Sequence, residues 1–170
     1  MAASLNTSND DMHKLSNKWT IYAHLPHDTD WSLVSYKKIN TFDKMEEFIT
    51  LTESLPDQLI SNCMLFIMKD NIKPIWEDVH NKNGGCFSYK ISNKSVPTIW
   101  RKFSYKLVGN SLLKKGCNKK NNINGITISP KKNFCIIKIW FSDCSNQDPE
   151  TIDYFKGVDS RGCLFRKHLK

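Results

Sequence analysis

The run Trp76-Glu77-Asp78-Val79-His80-Asn81-Lys82-Asn83-Gly84-Gly85 sets an indole beside a carboxylate just before a glycine pair. An indole face attracts a cation through its quadrupole, and the carboxylate of Glu77 can accept hydrogen bonds from the N1–H and 2-amino groups of guanine. Guanine methylated at N7 is a cation, so this pair predicts recognition of the methylated cap of messenger RNA. A second indole on the other face of the base would complete an aromatic slot. Trp31 is the first candidate and Trp140 the second.

The motif also resembles the signature of the translation initiation factor 4E family, whose members bind the 7-methylguanosine cap. Further blocks resemble that family in the family's own order: Asn17-Lys18-Trp19, Thr41-Phe42-Asp43 with Glu46-Glu47-Phe48, Ile99-Trp100 with Leu107-Val108-Gly109, and Gly125 followed by Trp140. The resemblance extends from His13 to Cys144. It implies an α+β fold in which a curved antiparallel β-sheet carries helices on its convex face and a cap slot on its concave side. It also implies capped messenger RNA as a partner and a role in translation initiation without chemistry.

Length and composition agree with a single intracellular domain. The 170 residues suit one domain over residues 13–170, and the small, polar residues 1–12 predict a disordered arm. No apolar stretch is long enough to span a bilayer and no signal pattern opens the chain, so we expect a cytoplasmic protein with no membrane partner. The six cysteines contain no Cys-x-x-Cys pair, so neither a metal site, a disulfide framework nor a cofactor is predicted.

Net charge and amino-acid composition add two further indications. A net charge of +8 suits a polyanionic partner such as RNA. The richness in Asn, Lys and Ile is typical of an AT-rich genome, such as that of a large DNA virus or a protist.

Hydrophobic periodicity predicts more strands than helices. Strands are expected over residues 19–25, 33–39, 63–68, 86–91, 123–129, 134–141 and 152–158. One helix is expected to begin at Thr41, with Thr41 as its cap, and to end at Pro56, and a second to begin near Pro97 and end at Gly109. Strands interleaved with two helices indicate an antiparallel sheet covered on one face.

By resemblance, Trp31 and Trp76 sandwich the methylated base and Glu77 binds its edge. The loop before Trp31 differs in length from that of the family by one residue, and anchoring of that loop on the core is an alternative role for Trp31. Trp140 alternates with Ile137 and Ile139 along one strand, so it faces the opposite side of the sheet. The resemblance implies that Trp140 contacts the methyl group, and packing beneath the slot is the alternative.

The phosphate-binding residues depart from the family. Cys86 and Ile136 stand where the family has basic residues. A flexible lysine acts as a point charge whose source can move, so other lysines can replace the missing charge. The matching basic residue and the two possible substitutes are Lys131, Lys132 and Lys138. Lys132 is equally well interpreted as a solvated turn residue.

The surface that receives adaptor or scaffold proteins in this family also departs. Ile49 replaces an indole, and Arg101-Lys102 replaces a Leu-Glu pair. The residues expected to meet a divergent scaffold protein of the initiation factor 4G type are His13, Leu15, Met45, Ile49, Arg101 and Lys102. The loss of a large apolar anchor and a reversed charge predict weak binding of a standard adaptor peptide. Two alternatives remain: a partner whose surface complements these altered residues, or no partner of this kind.

Three other functions remain open at this point. A cap-binding repressor or decoy would share the cap slot but not the scaffold surface. A cap or nucleotide hydrolase would need clustered glutamates that hold a metal ion, and no Arg-Glu-x-x-Glu-Glu pattern is present. A generic single-strand RNA binder would show no preference for the methylated base.

Overall fold

The computed structural model describes residues 12–117 and 122–169. Seven strands lie within this part of the chain: β1 Lys14–His24, β2 Tyr36–Lys44, β3 Met64–Lys69, β4 Gly85–Ser92, β5 Ile123–Pro130, β6 Phe134–Phe141 and β7 Leu164–Lys167. The helices are α1 Met45–Ser54, α2 Asp57–Asn62 and α3 Val96–Val108. Nearly all of the predicted arm, residues 1–11, lies outside the described residues.

The strands form one antiparallel sheet in the order β2-β1-β3-β5-β6-β4-β7. Register shifts interrupt the β1–β2 and β5–β6 pairings, and such bulges bend a sheet. The α+β architecture with an antiparallel sheet and helices on one face is therefore confirmed. In the described ranges no helix is long and apolar enough to cross a membrane.

Alternation along the strands gives the sheet two unlike faces. One face, called the helix face here, packs against α1, α2 and α3 through a large apolar core that includes Trp19, Phe48, Phe87, Trp100 and Phe103. The opposite face, called the site face, carries a smaller cluster of Phe66, Met68, Ile72, Cys86 and Trp140. Trp140 therefore faces away from Ile137 and Ile139, as the alternation predicted.

The first predicted helix begins four residues too early. Thr41 lies in β2, where its hydroxyl is 2.8 Å from that of Thr20 on β1, and α1 begins at Met45. Strand pairing overrode the helical spacing of the apolar residues, because β2 remains paired with β1, through a register shift, as far as Lys44. The strand predicted over residues 33–39 begins three residues later, at Tyr36, because Leu33–Ser35 forms a 3-10 turn.

The predicted strand over residues 152–158 is wrong. This segment contains a single isolated bridge from Ile152 to Leu113, and Gly157 has a φ of 98°, which a regular strand does not allow. The last strand is instead β7, which lies at the sheet edge against β4. The short α2 was not predicted either, because Pro56 marked the end of the first helix without indicating that another begins there.

Candidate cap-binding site

The loop that connects β3 to β4 is held together by two buried polar side chains. The carboxylate of Asp78 accepts hydrogen bonds from the backbone N–H groups of Lys73 at 3.1 Å and His80 at 2.9 Å. Asn81 is fully buried, and its amide nitrogen donates to the carbonyl oxygens of Lys73 at 3.1 Å and Ile75 at 2.8 Å. These bonds cross the loop, so they fix its path from the inside.

Asn124 on β5 ties that loop to the sheet. Its side-chain nitrogen donates to the carbonyl of His80 at 2.7 Å and to the side-chain oxygen of Asn81 at 3.0 Å. Because Asn124 is itself buried, loss of either hydrogen bond would leave a buried polar group without a partner and out of reach of water. Sequence reasoning missed Asn124, since nothing near it in the chain distinguishes it from other asparagines in strands.

The glycine pair lets β4 start close to its neighbours. A Cβ on Gly84 would overlap the carbonyl oxygen of Phe141, and a Cβ on Gly85 would lie 2.6 Å from the carbonyl oxygen of Arg166. Both positions therefore require the absence of a side chain. The glycines of the motif thus set the junction between the loop and the sheet.

This framework leaves Trp76 and Glu77 free. The Trp76 side chain is 47% exposed, and Glu77 is exposed beside it. Burial, and next the charge of Glu77, raise the pKa of Tyr36 on the site face, so the Glu77 carboxylate acts on that face. An exposed indole and an unburied carboxylate on a fixed loop can stack on a cationic base and accept its hydrogen bonds.

Trp31 lies on a second loop, between β1 and β2. Its indole stacks on the imidazole of His24, with ring centroids 4.1 Å apart and planes 6° apart. His24 in turn contacts the ring of Tyr36 edge-on at 5.3 Å, and its Nε2 lies 2.8 Å from the carbonyl oxygen of Asp30. Trp31 is 57% exposed although one face of its indole lies against His24. His24 connects it to Tyr36, the residue whose pKa burial and then the charge of Glu77 raise.

Trp140 is buried in the site face, unlike the exposed indoles of Trp31 and Trp76, which would form the two walls of the slot. It is 7% exposed, and its Nε1 donates to the hydroxyl of Thr127 at 3.2 Å. The ring of His168 packs against it, with centroids 4.8 Å apart. The interpretation of Trp140 as a residue packed beneath the slot therefore has clear geometric support, and contact with a ligand methyl group stays a prediction.

His168 was missed by sequence reasoning. Its Nδ1 donates to the carbonyl oxygen of Asn81 at 2.7 Å, and its backbone N–H donates to Gly84 at 2.9 Å. Burial, and to a smaller extent the charge of Lys138, lower the pKa of His168. His168, which directly follows β7, thus ties this strand to the loop of Trp76. No recognisable sequence motif identifies it.

The predicted phosphate-binding lysines lie in two places. Lys131 and Lys132 are exposed at the β5–β6 turn, which the Lys131 N–H closes by donating to Phe134 at 2.8 Å. Lys138 is half-buried on β6, opposite Ser88 of β4, and shares the site face with Trp140. Cys86 is buried near Lys138, on the neighbouring strand, and burial raises the pKa of its thiol. It contributes no charge in its ordinary thiol form.

The predicted partner-binding residues lie on the side of the helices, where they have unequal exposure. Leu15 is buried in the core, Met45 is half-buried, and Ile49 is 40% exposed on α1. His13 binds Glu46 at the start of α1, with 2.6 Å between Nδ1 and Oε1. That contact lowers the pKa of Glu46 to about 2.

Arg101 and Lys102 differ although they are adjacent on α3. The guanidinium of Arg101 donates to Asp57 at 2.7 Å and to the carbonyl of Leu55 at 2.8 Å. It therefore ties α3 to the α1–α2 junction. Lys102 is exposed, with its Nζ 5.6 Å from the ring centroid of Phe155.

No candidate metal site is present in the part of the chain that the structure describes. Within residues 12–117 and 122–169, no three His, Cys, Asp or Glu side chains form a group that could hold a metal ion. The site is therefore described by its aromatic rings, its carboxylate and its surrounding cations.

Comparisons with known proteins agree with this geometry. The family model for eukaryotic initiation factor 4E matches residues 14–156. Initiation factor 4E of Candida albicans is 26% identical over 150 residues, covering 82% of this chain and 69% of that protein. Initiation factor 4E-1 of Schizosaccharomyces pombe is 27% identical over 147 residues, covering 80% of this chain and 63% of that protein.

A solved structure shows the same fold. The structure of C. elegans eIF4E-3 with the 4E-binding protein Mextli and a cap analog matches with a TM-score of 0.70 at 20% identity, covering 79% of this chain and 76% of that chain.

Fold and site together define an aromatic binding site on an antiparallel sheet that is backed by helices. Because the family match spans most of its length, the chain belongs to the eukaryotic initiation factor 4E family. It spans roughly two thirds of the length of the two relatives named above.

Proposed function

We propose that this protein binds the 7-methylguanosine cap of messenger RNA and acts in translation initiation, in the cytoplasm and without catalysing a reaction. The observation that carries the proposal is the exposed Trp76-Glu77 pair on a loop that Asp78 and Asn81 fix from within. A pre-formed wall of this kind loses little conformational entropy when a flat, cationic ligand binds. The family membership supports the same function.

Each site residue has a definite task in this proposal. The indole of Trp76 stacks on one face of the methylated base, and the free face of Trp31 stacks on the other. The carboxylate of Glu77 accepts hydrogen bonds from the guanine edge. The positive charge created by methylation strengthens both stacks, and the buried Trp140 forms the floor of the slot.

Methyl preference is the property that tests the proposal. Titration of tryptophan fluorescence with 7-methylguanosine diphosphate and with guanosine diphosphate should show tighter binding of the methylated ligand, since each indole contact contributes about 0.5–2 kcal/mol with a cation. Equal affinities would contradict cap recognition. Incubation with capped RNA and magnesium should leave the cap intact, and release of diphosphate-linked products would instead indicate a hydrolase.

We also propose that a scaffold-type partner docks on α1 and α3 through contacts that differ from those of a standard adaptor. Ile49 offers a smaller apolar anchor than an indole, with 40% of its surface exposed. The charge of Arg101 is already matched by Asp57, so Lys102 is the free cation of this pair. An acidic residue in the partner is therefore expected opposite Lys102.

Calorimetry can test this altered surface. A standard adaptor peptide should bind the natural chain weakly, because loss of a hot-spot contact costs at least about 2 kcal/mol. The double variant Ile49→Trp, Lys102→Glu should bind that peptide at least about tenfold more tightly. Tight binding by the natural chain would refute the proposed alteration.

A further inference from the structure

A bound cap would place a chain of phosphates beside the slot, and the site face must supply positive charge for it. Cys86 and Ile136, the positions expected to be basic, carry none. We propose that Arg166 on β7 and Lys90 on β4, together with Lys138 on β6, bind the triphosphate of the cap. The inference rests on the proposed function. These three cations are called the basic patch below.

Strand register places the two new residues directly beside the uncharged positions. Arg166 pairs with Cys86 across the β4–β7 ladder, and Lys90 pairs with Ile136 across the β4–β6 ladder. Directly paired residues in antiparallel strands have Cβ atoms about 4.5–5.5 Å apart and point to the same side of the sheet. A long basic side chain at the paired position can therefore reach the space above its neighbour.

The orientation of Arg166 follows from its neighbour along β7. Phe165 packs against Phe87 at 5.2 Å between ring centroids, and Phe87 belongs to the core on the helix face. Arg166, one residue further, must point to the site face. Its charge and that of Lys138 both act to lower the pKa of the buried Cys86 thiol, against the larger opposite effect of burial, so both cations lie near that side chain.

Lys90 and Lys138 share the same face. Lys138 pairs with Ser88, which lies between Cys86 and Lys90 on the site face of β4. Diagonal neighbours in such a ladder are about 7–8 Å apart. Arg166 and Lys138 therefore flank Cys86 beside Trp140, and Lys90 lies further along the same face, toward Phe134. A phosphate chain that leaves the slot along β4 can contact more than one of the three.

None of the three cations forms a salt bridge with a carboxylate in the described part of the chain. Arg161, by contrast, is bound by Asp159 at 2.6 Å, and Arg101 by Asp57 at 2.7 Å. Lys90 rests its ammonium group 4.3 Å above the ring centroid of Phe134, a contact that positions the charge without neutralising it. The planar fork of Arg166 suits a phosphate that accepts two hydrogen bonds.

The test compares ligands that differ only in phosphate. Affinities of the natural chain and of the double variant Lys90→Gln, Arg166→Gln are measured for 7-methylguanosine, for 7-methylguanosine triphosphate and for a short capped RNA. The matched control is Lys94→Gln, Lys167→Gln, which removes two charges from exposed lysines outside the patch. Lys167 is the neighbour of Arg166 and points to the other side of β7.

The patch variant should bind the triphosphate about tenfold more weakly, as expected for loss of charge-assisted hydrogen bonds. It should bind the nucleoside within about twofold of the natural chain, and the control should bind both ligands within about twofold. Unchanged binding of the triphosphate overturns the proposal, as does an equal loss in the control.

Two other results also overturn the proposal and are distinct. A loss confined to capped RNA would assign the patch to the RNA body and not to the cap triphosphate. Failure of the natural chain to prefer the methylated nucleotide would instead remove the proposed function itself, together with this inference.

Discussion

The two loops that carry the exposed indoles are held in opposite ways. The Trp76 loop is fixed by the buried side chains of Asp78 and Asn81, which bond across it. The Trp31 loop is fixed mainly by short turns in which Asp30 accepts from Ser32. The buried His24 adds a ring stack against Trp31 and one hydrogen bond of 2.8 Å from its Nε2 to the carbonyl oxygen of Asp30. Asp30 and Ser32 are exposed, whereas Asp78 and Asn81 are not.

This difference in loop support determines how rigidly each indole, Trp76 or Trp31, is held when a ligand binds. Buried polar groups must keep their partners, so the Trp76 loop has a single favourable arrangement. Exposed turn bonds exchange with water at little cost, which leaves the Trp31 loop free to open locally. We therefore expect Trp76 to be a pre-formed wall and Trp31 to be an adjustable one.

The largest expected effect comes from Asn81→Ala. The substitution leaves the carbonyls of Lys73 and Ile75 and the amide of Asn124 without their partner in a buried region. We expect a loss of about 2–4 kcal/mol in the free energy of unfolding, measured by urea denaturation. Cap affinity should fall as well, because the loop no longer holds Trp76.

Asn83→Ala is the matched control for that experiment. Asn83 lies two residues further along the same loop but is exposed. Its substitution should change the free energy of unfolding by less than about 0.5 kcal/mol. If both variants unfold at the same urea concentration, the buried network does not hold the loop.

The second prediction compares the two indoles directly. Trp76→Ala should weaken binding of 7-methylguanosine diphosphate by at least about tenfold, since a desolvated indole–cation contact is worth about 2 kcal/mol. Trp31→Ala should cost less, because part of its contact energy is spent on ordering its loop. Both are measured by calorimetry.

Neither substitution should lower the thermal midpoint appreciably, because both indoles are about half exposed and lie outside the apolar core. A larger loss for Trp31→Ala than for Trp76→Ala would reverse the proposed ranking of the two walls. Full affinity in Trp31→Ala would remove Trp31 from the slot.

Much of the sheet could be predicted because its strands alternate cleanly. In β1, Trp19 and Ile21 point to the core while Thr20 and Tyr22 do not. The errors lie where pairing with a distant strand decided the outcome. Thr41 had a helix-cap pattern but is held in β2 by Thr20, and a local pattern carries no information about that contact.

The third prediction concerns the support of Trp31. His24→Ala removes the ring that covers one face of the indole, and stacked aromatic pairs contribute about 0.5–1.5 kcal/mol beyond the area that they bury. We expect cap affinity to fall about two- to tenfold, with His24→Phe retaining most of it. His27→Ala, on the same loop, is the control. An unchanged affinity in His24→Ala would show that the stack does not position Trp31.

The candidate site was predictable to the extent that residues signal their role by type and spacing. Trp76 and Glu77 were predicted because a glycine pair follows an indole and a carboxylate, and the structure leaves both side chains exposed. Asn124 and His168 could not be found, because each acts through a hydrogen bond to the distant residue Asn81. Such positioning residues are defined by register and packing and leave no local pattern.

The smallest expected effect is the pH dependence that His168 gives to the Trp76 loop. Burial lowers the pKa of His168 in the folded protein, so the unfolded chain binds more protons in the range between this lowered pKa and the ordinary histidine value. The stability that neutral His168 provides is therefore complete above about pH 6.5 and decreases as the pH falls through the folded pKa. Urea unfolding between about pH 7.5 and pH 5 should show a steeper loss of stability in the natural chain than in His168→Gln. The amide of that variant can still donate to the carbonyl of Asn81 but does not titrate. Parallel slopes would mean that His168 does not hold the Trp76 loop through a neutral imidazole. A difference between the slopes would show that the neutral imidazole of His168 holds this loop through its hydrogen bond to the carbonyl of Asn81.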